Sequence, residues 1–292
     1  MKLALAALAS TVAATAAGSS PATIKVGAAP FGVAFGGGAA WVADYATGSA
    51  YRIDPSTNRV TSRIRVGGKP FAAAFGAGSV WIGNYDGTKI ARIDPRSRRV
   101  TARIETGLRP LGLAAAAGAV WVAGYGTESV YRIDPATNKV VATIKVDGTP
   151  ESAAIGQNAV WVPLEEGKVV RIDPATNTVV RTLAVESDPD YAAVCGGLVW
   201  VTSLYGNDVT IVDPTSMIVR RVEVGPGAEG IACGRSVWVA NFDTGMLLAI
   251  DPRTGKVVKR LRAGSHPRGV AVGGDSVWVA NGGSGTVTRF PG

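Results

Sequence analysis

The chain of 292 residues contains one histidine, two cysteines and three methionines. A single imidazole excludes most zinc sites and most triad arrangements. No Walker loop, G-x-S-x-G elbow or H-E-x-x-H run is present, which removes the commonest phosphate-binding, hydrolase and metalloprotease signatures. The runs GGGAA (36–40) and GGDS (273–276) are not followed by a helical pattern, so they read as turns and not as phosphate cradles. Beyond the N-terminal stretch, no segment approaches the apolar length of a membrane-spanning helix or shows a 3.6-residue apolar stripe. Transmembrane and amphipathic helices are therefore not expected.

What is abundant is glycine, 38 residues, in a chain that is 47% hydrophobic. Length alone, at roughly 150 residues per domain, suggests two domains. The tryptophans argue for one. All seven, at 41, 81, 121, 161, 200, 238 and 278, follow one another at intervals of 40, 40, 40, 39, 38 and 40. Within each period four short runs of alternating apolar residues recur, as in FAAAF (71–75), SVWIGNY (79–85), KIARIDP (89–95) and RVTARIETG (99–107). Gly, Asp-Pro and Ser/Thr/Asn clusters separate them, the pattern of strands joined by tight turns. Four strands per period of this length is the blade of a β-propeller, and seven tryptophans count seven blades. The fold class is all-β, one domain over 22–291. ATIKVGAAPFG (22–32) matches the outer-strand junction RIRVGGKPFA (63–72), while the chain stops at a third strand, TVTRFPG (286–292). The first strand is therefore expected to complete the last blade and close the ring.

The segment 1–17, with Lys2, an apolar stretch from Leu3 and a small-residue site at Ala14-Thr15-Ala16, reads as a secretory signal peptide. The expected product is a secreted, periplasmic or envelope-associated monomer without a transmembrane span. In such a compartment Cys195 and Cys233, which end the inner strands of adjacent blades, form a disulfide or remain two buried thiols. Thirty Lys and Arg against 22 Asp and Glu give +8. Much of that excess falls on outer strands, where charge blocks edge-to-edge aggregation and permits loose contact with an anionic cell envelope. With few aromatics beside it, this rim makes nucleic acid an unlikely partner, weak single-stranded DNA binding being the residual possibility.

Repetition separates scaffold from site. The tryptophans and the six turn aspartates (Asp54, Asp94, Asp134, Asp173, Asp213, Asp251) occur blade after blade and serve the blade. The (V/I)W(V/I)(A/G)(N/D) run, the RIDP turn and the GxxPxGxA junction resemble YVTN-type propeller repeats and virginiamycin B lyase-like proteins. The resemblance covers 22–291 and implies a seven-bladed propeller with ligands held over the central channel, at the face carrying the inter-blade junctions. For a lyase it implies Mg²⁺ held by histidines and glutamate. With His266 alone, a two-histidine site cannot be assembled.

At that face the first residue after each junction Pro is Phe31, Phe71, Leu111, Glu151, Asp190, Glu229 and Arg268, with Ala228 replacing Pro in blade six. The facing loops offer Tyr45, Tyr85 and Tyr125, then Glu165, Glu166, Asp208 and Asp243. The mouth should be half aromatic and half acidic. Such a site stacks an apolar or sugar-like group on Phe31, Phe71, Tyr45, Tyr85 and Tyr125, and holds a cation or amine with Glu151, Asp190 and Glu229, Arg268 adding the one base. A small molecule or a protein is the expected ligand. The same carboxylates are candidate ligands for Ca²⁺ or Mg²⁺. Crowded acids raise one another's pKa, so the alternative is a metal-dependent lyase or hydrolase using Glu151, Asp190 and Glu229 with His266 as base.

Overall fold

The computed structural model describes residues 20–116, 118–185 and 188–291; the segment read as a signal peptide lies outside them. Seven four-stranded antiparallel sheets form a ring. Blade 1 comprises β2 (Pro30–Gly36), β3 (Ala39–Asp44), β4 (Ser49–Asp54) and β5 (Arg59–Arg65). Blades 2 to 6 repeat it over 70–105, 110–145, 154–184, 189–223 and 228–262. Blade 7 is β26 (Pro267–Val272), β27 (Ser276–Asn281) and β28 (Thr286–Pro291), completed by β1 (Ala22–Lys25). β1 runs antiparallel to β28 with Ala22 opposite Arg289 and Lys25 opposite Thr286. The ring is closed by main-chain hydrogen bonds, as the matching ends of the sequence predict.

Burial follows position in the blade. Every residue of β3 is buried because neighbouring blades cover both its faces, whereas β5 alternates between exposed and covered positions. Each tryptophan stands on a second strand as a plate between blades. Six of them are 2% exposed or less, and Trp238 is 8% exposed. In blades 1, 2, 4, 5 and 7 the indole N–H donates to the carbonyl five residues earlier, at 3.0–3.3 Å, across the turn between first and second strands. Truncating one such plate to alanine costs ~3–5 kcal/mol.

On the face opposite the mouth, the Asp-Pro turns do more than reverse the chain. Arg92, Arg132 and Arg289 lie over the ring of the tryptophan paired with each of them, at 5.0, 5.4 and 5.1 Å. Each guanidinium then donates into the turn of the next blade, to the carbonyls of Pro135, Pro174 and Pro55 and to Oδ1 of Asn138, Asn177 and Asn58. Those asparagines occupy left-handed backbone (φ 55–58°), which Asn tolerates better than most residues. Where the asparagine is missing, so is the latch. Blade 2 has Arg98 there and Arg52 turns to Thr61; blade 5 has Met217 and Arg171 Nε is buried without a partner. Between blades 5 and 6, where Ile211 replaces the arginine opposite Trp200, a disulfide joins Cys195 to Cys233 with Cα atoms 5.3 Å apart. Between blades 6 and 7 no arginine stands opposite the tryptophan either, although Arg235 lines the interface. Ala249 stands opposite Trp238, and a cleft of about 470 Å³ opens beside that indole.

Candidate functional site

The mouth is built by one bulge repeated around the ring. In blades 1, 2, 3, 5, 6 and 7 the ladder between first and second strands shifts register immediately after the junction residue, for example between Pro30 and Val33 and between Pro189 and Ala192. A bulge leaves residues unpaired and re-aims their side chains. Blade 4 reaches the same end differently. In a strand, N–H and C=O of one residue face the same neighbour, and Pro163 has no N–H to give. Glu151 N donates to Pro163 O at 3.1 Å without the return bond, and the regular strand begins only at Ala154.

The second residue after the junction faces the channel, and neighbouring inner strands approach so closely there that only a small residue fits. A Cβ on Gly32 would lie 2.6 Å from Phe71 O and 2.7 Å from Ala73 N. Read around the ring, this place holds Gly32, Ala72, Gly112, Ser152, Tyr191, Gly230 and Gly269. Tyr191 is the exception. Its N–H donates to Thr202 Oγ1, whose hydroxyl donates to Glu229 O, while Ser152 Oγ takes the next amide, Ala192 N, and donates to Asp190 O. This network seats an aromatic ring where a cavity of about 290 Å³ at the mouth meets the 160 Å³ channel below, and Tyr191 lines both.

Of the residues predicted from the sequence, Phe71, Tyr85, Tyr125, Glu151, Asp190, Glu229 and Arg268 line the mouth cavity together. Phe31 and Tyr45 extend its aromatic side. Phe31 lies 4.6 Å from Phe71 and 5.3 Å from Tyr45, and Tyr45 lies 5.7 Å from Tyr85, centroid to centroid. Cations cover much of this surface. Lys69 sits over Tyr45 at 5.3 Å, and Arg109 over Tyr85 and Tyr125 at 5.2 and 5.9 Å. Tyr125 also donates to Glu165 Oε2 at 3.3 Å; burial first, then the charges of Glu151 and Glu165, push its phenol up to about 12.

The acidic side is the unusual one. Glu229, 2% exposed, accepts a 2.6 Å bond from Arg268 at Oε1, while Oε2 is buried with no partner. Burial raises its carboxyl to about 7 against the opposing pull of Arg268. Burial, then the charges of Glu165, Glu166 and Asp188, carry Glu151 to about 8. Asp190, between them, is raised well above the ordinary carboxylate range by burial and by Glu229 and Glu151. Burial and the same three acids raise the neighbouring Tyr191 phenol. At neutral pH this side of the mouth therefore holds protons as well as negative charge.

The facing loops correct the sequence reading. The places equivalent to Tyr45, Tyr85 and Tyr125 are Glu165, Leu204, Phe242 and Gly282, one residue beyond the second strand. Glu166 turns to the rim, accepting from Thr149 N and Oγ1. Asp208 opens a third strand and pairs with Arg221 at 3.9 Å. Asp243 lies one place past Phe242. Arg268 stacks between Phe31 and Phe242, 4.0 and 4.4 Å from their centroids. His266 lies against Phe242, 4.5 Å between rings, with Nδ1 3.3 Å from Ser265 Oγ. It is not among the residues lining the cavity. Tyr191 and Tyr205, the latter 82% exposed, line the cavity without having been anticipated. Tyr191 could have been found as the one large residue in a column of Gly, Ala and Ser.

Among the described residues no three His, Cys, Asp or Glu side chains come together as a group able to hold a metal ion. The histidine–glutamate set implied by the lyase resemblance does not fit: the single histidine stands outside the cavity.

No family model matches the chain, and no curated protein matches it. Solved structures do. The chain is similar to hydrazine synthase of Kuenenia stuttgartiensis, with a TM-score of 0.81 at 17% identity over 91% of this chain and 96% of that one. A streptogramin B lyase structure matches with a TM-score of 0.80 at 14% identity over 92% of this chain and 96% of that one. What the chain shares with both is the seven-bladed propeller fold.

Proposed function

We propose that this protein is a secreted binding module that takes its ligand at the acidic–aromatic mouth of the central channel. The observation that carries the reading is Glu229 Oε2, a buried carboxylate oxygen at the cavity with no hydrogen-bond partner. An unmet acceptor of this kind costs ~1–3 kcal/mol and is met when a donor binds. Among the described residues the other buried polar atoms without a partner are the side-chain oxygens of Asn84, Asn241 and Asn281 and Arg171 Nε; Glu229 Oε2 is the one that belongs to a carboxylate. Secretion rests on the leader-like segment 1–17, and the Cys195–Cys233 disulfide suits an oxidising compartment. A panel of amines, aromatic alcohols, sugars, Ca²⁺ and Mg²⁺ is screened by thermal shift. Stabilisation by one member that is lost in Glu229→Gln is the expected outcome. A flat response to every member counts against a site at the mouth.

A second reading, a lyase, rests on one observation: Glu151 and Glu229 hold carboxyls near 8 and 7, the range a general acid or base uses, in a fold shared with streptogramin B lyase. It is tested by incubating streptogramin B with the protein and following that compound by liquid chromatography. An unchanged chromatogram removes this reading for that substrate and leaves the binding module in place.

A further inference from the structure

The chemical class of the ligand follows from which charges at the mouth are already satisfied. This step rests on the binding reading above. Five carboxyls line the cavity, those of Glu151, Glu165, Asp188, Asp190 and Glu229, against one cation, Arg268. Arg268 already bonds Glu229 Oε1 and is sandwiched by two rings. On this side of the cavity an anionic ligand would meet five carboxyls against that one paired base. The faces of Tyr85 and Tyr125 carry Arg109. Tyr191 and Tyr205, on the acidic side, carry no such cation among the described contacts.

Three kinds of cation remain. A divalent metal needs several oxygens converging at about 2–2.6 Å. Here no such group assembles among the described residues, and the guanidinium of Arg268 would oppose a second positive charge beside Glu229. A quaternary ammonium suits an aromatic wall but has no N–H, so Glu229 Oε2 would stay unmet. A protonated amine answers both demands. Its N–H groups reach an orphaned carboxylate oxygen, and an attached ring or chain lies against Tyr191 and Tyr205.

We propose that the mouth binds a protonated primary or secondary amine carried on a flat apolar body, its ammonium donating to Glu229 Oε2 and Asp190 and its body packed on Tyr191 and Tyr205. The carboxyls that are protonated in the empty site give up protons as the ammonium arrives, so the ligand exchanges for hydrogen ions and the buried charge stays balanced. A neutral analogue of the same shape loses the charge-assisted bond and should bind at least about tenfold more weakly.

Isothermal titration of the purified chain with phenethylamine, 2-phenylethanol and phenyltrimethylammonium, in turn, tests this. Phenethylamine is expected to bind most tightly. Its affinity should fall at least about tenfold in Glu229→Gln and again in Asp190→Asn, both variants keeping the near-ultraviolet circular dichroism of the parent. Equal binding of the alcohol, or an amine affinity unchanged in both variants, overturns the amine assignment. Tighter binding of Ca²⁺ or Mg²⁺ that displaces the amine overturns it in favour of a metal, with the mouth still the site. If neither the organic probes nor the metal ions bind, the amine assignment fails together with the reading of the mouth.

Discussion

The two faces of the ring use the same acids in opposite ways. On the turn face, Asp54, Asp94, Asp134, Asp213 and Asp251 are held below their ordinary pKa, chiefly by the hydrogen bonds they accept within their own turns. On the mouth face, Glu151, Asp190 and Glu229 are pushed above it by burial. The first set recurs from blade to blade; the second occupies a single arc. An acid that accepts backbone N–H groups stabilises the protein, whereas an acid buried among other acids costs stability that only a partner can return. The difference teaches where to look in a repeat protein: a cluster of buried acids that is not repeated marks a candidate site.

The sharpest way to break this comparison is to remove the one cation serving the mouth acids. Arg268→Ala leaves Glu229 buried with neither oxygen paired, and is expected to cost about 3 kcal/mol at pH ~8 by urea unfolding. Without the arginine the Glu229 carboxyl rises above about 7, so it escapes part of that cost by taking a proton and the loss should shrink as pH falls toward about 7. A penalty that is the same at pH ~5 and pH ~8 would mean the arginine acts only by packing on Phe31 and Phe242. On the turn face the matching change is Arg132→Ala, which strips the bonds to Pro174 O and Asn177 Oδ1 and uncovers Trp121. Its expected cost is about 2 kcal/mol, independent of pH between about 5 and 8, because none of those partners titrates there.

The two faces should also divide the pH profile of stability. A carboxyl whose folded pKa is raised binds more protons folded than unfolded; its contribution is full below the unfolded value and is lost as pH rises through the folded one. Glu151 and Glu229 therefore weaken the fold between about pH 4.5 and about 8. The turn aspartates have lowered values, so their contribution is present above about 3.8 and is lost as pH falls below it. Melting temperature should peak in mildly acidic buffer and decline on both sides. Glu151→Gln with Asp190→Asn should flatten the alkaline limb and leave the acid limb in place. An alkaline decline unchanged in that double variant would assign it to Glu229 or to groups away from the mouth.

How far the sequence leads is set by the same contrast. The ring, its seven blades, its closure by β1 and the junction column were legible because each is stated several times over in the tryptophan and Pro-x-small patterns. The mouth was legible where a column could be followed: Glu151, Asp190, Glu229 and Arg268 share one place and do meet at one cavity. It failed where acids were gathered by kind and not by place, which drew in Asp208 and Asp243 when the equivalent residues are Leu204 and Phe242. Tyr205 stands one place further on, the single aromatic residue in a column that otherwise holds Ala46, Asp86, Gly126, Glu166, Asp243 and Gly283, and could have been found there. The raised pKa values depend on depth of burial, which alternation alone does not give.

The latch between blades is the feature the sequence states most indirectly, and it permits the finest test. The arginine opposite the tryptophan and the asparagine that receives it are far apart in the chain, at separations of 46 and 45 for Arg92–Asn138 and Arg132–Asn177. Neither is informative alone, since an asparagine at the end of an Asp-Pro turn already has a local reason to be there. Arg52 stands opposite Trp41 as its counterparts do, yet the next turn offers it Arg98 where Arg92, Arg132 and Arg289 find asparagine, and it donates to Thr61 on its own blade. Arg98 is in left-handed backbone at φ 59°, and its guanidinium makes an exposed 3.3 Å bond to Ser62. Arg98→Asn removes a like charge from beside Arg52, supplies the missing acceptor and places a residue that tolerates that φ. The expected gain is about 1 kcal/mol in urea unfolding. It should vanish when Arg52→Ala is combined with it, because the added stability then has no donor; a gain that survives in the double variant would credit the backbone alone, and the latch would lose its claim to be what ties one blade to the next.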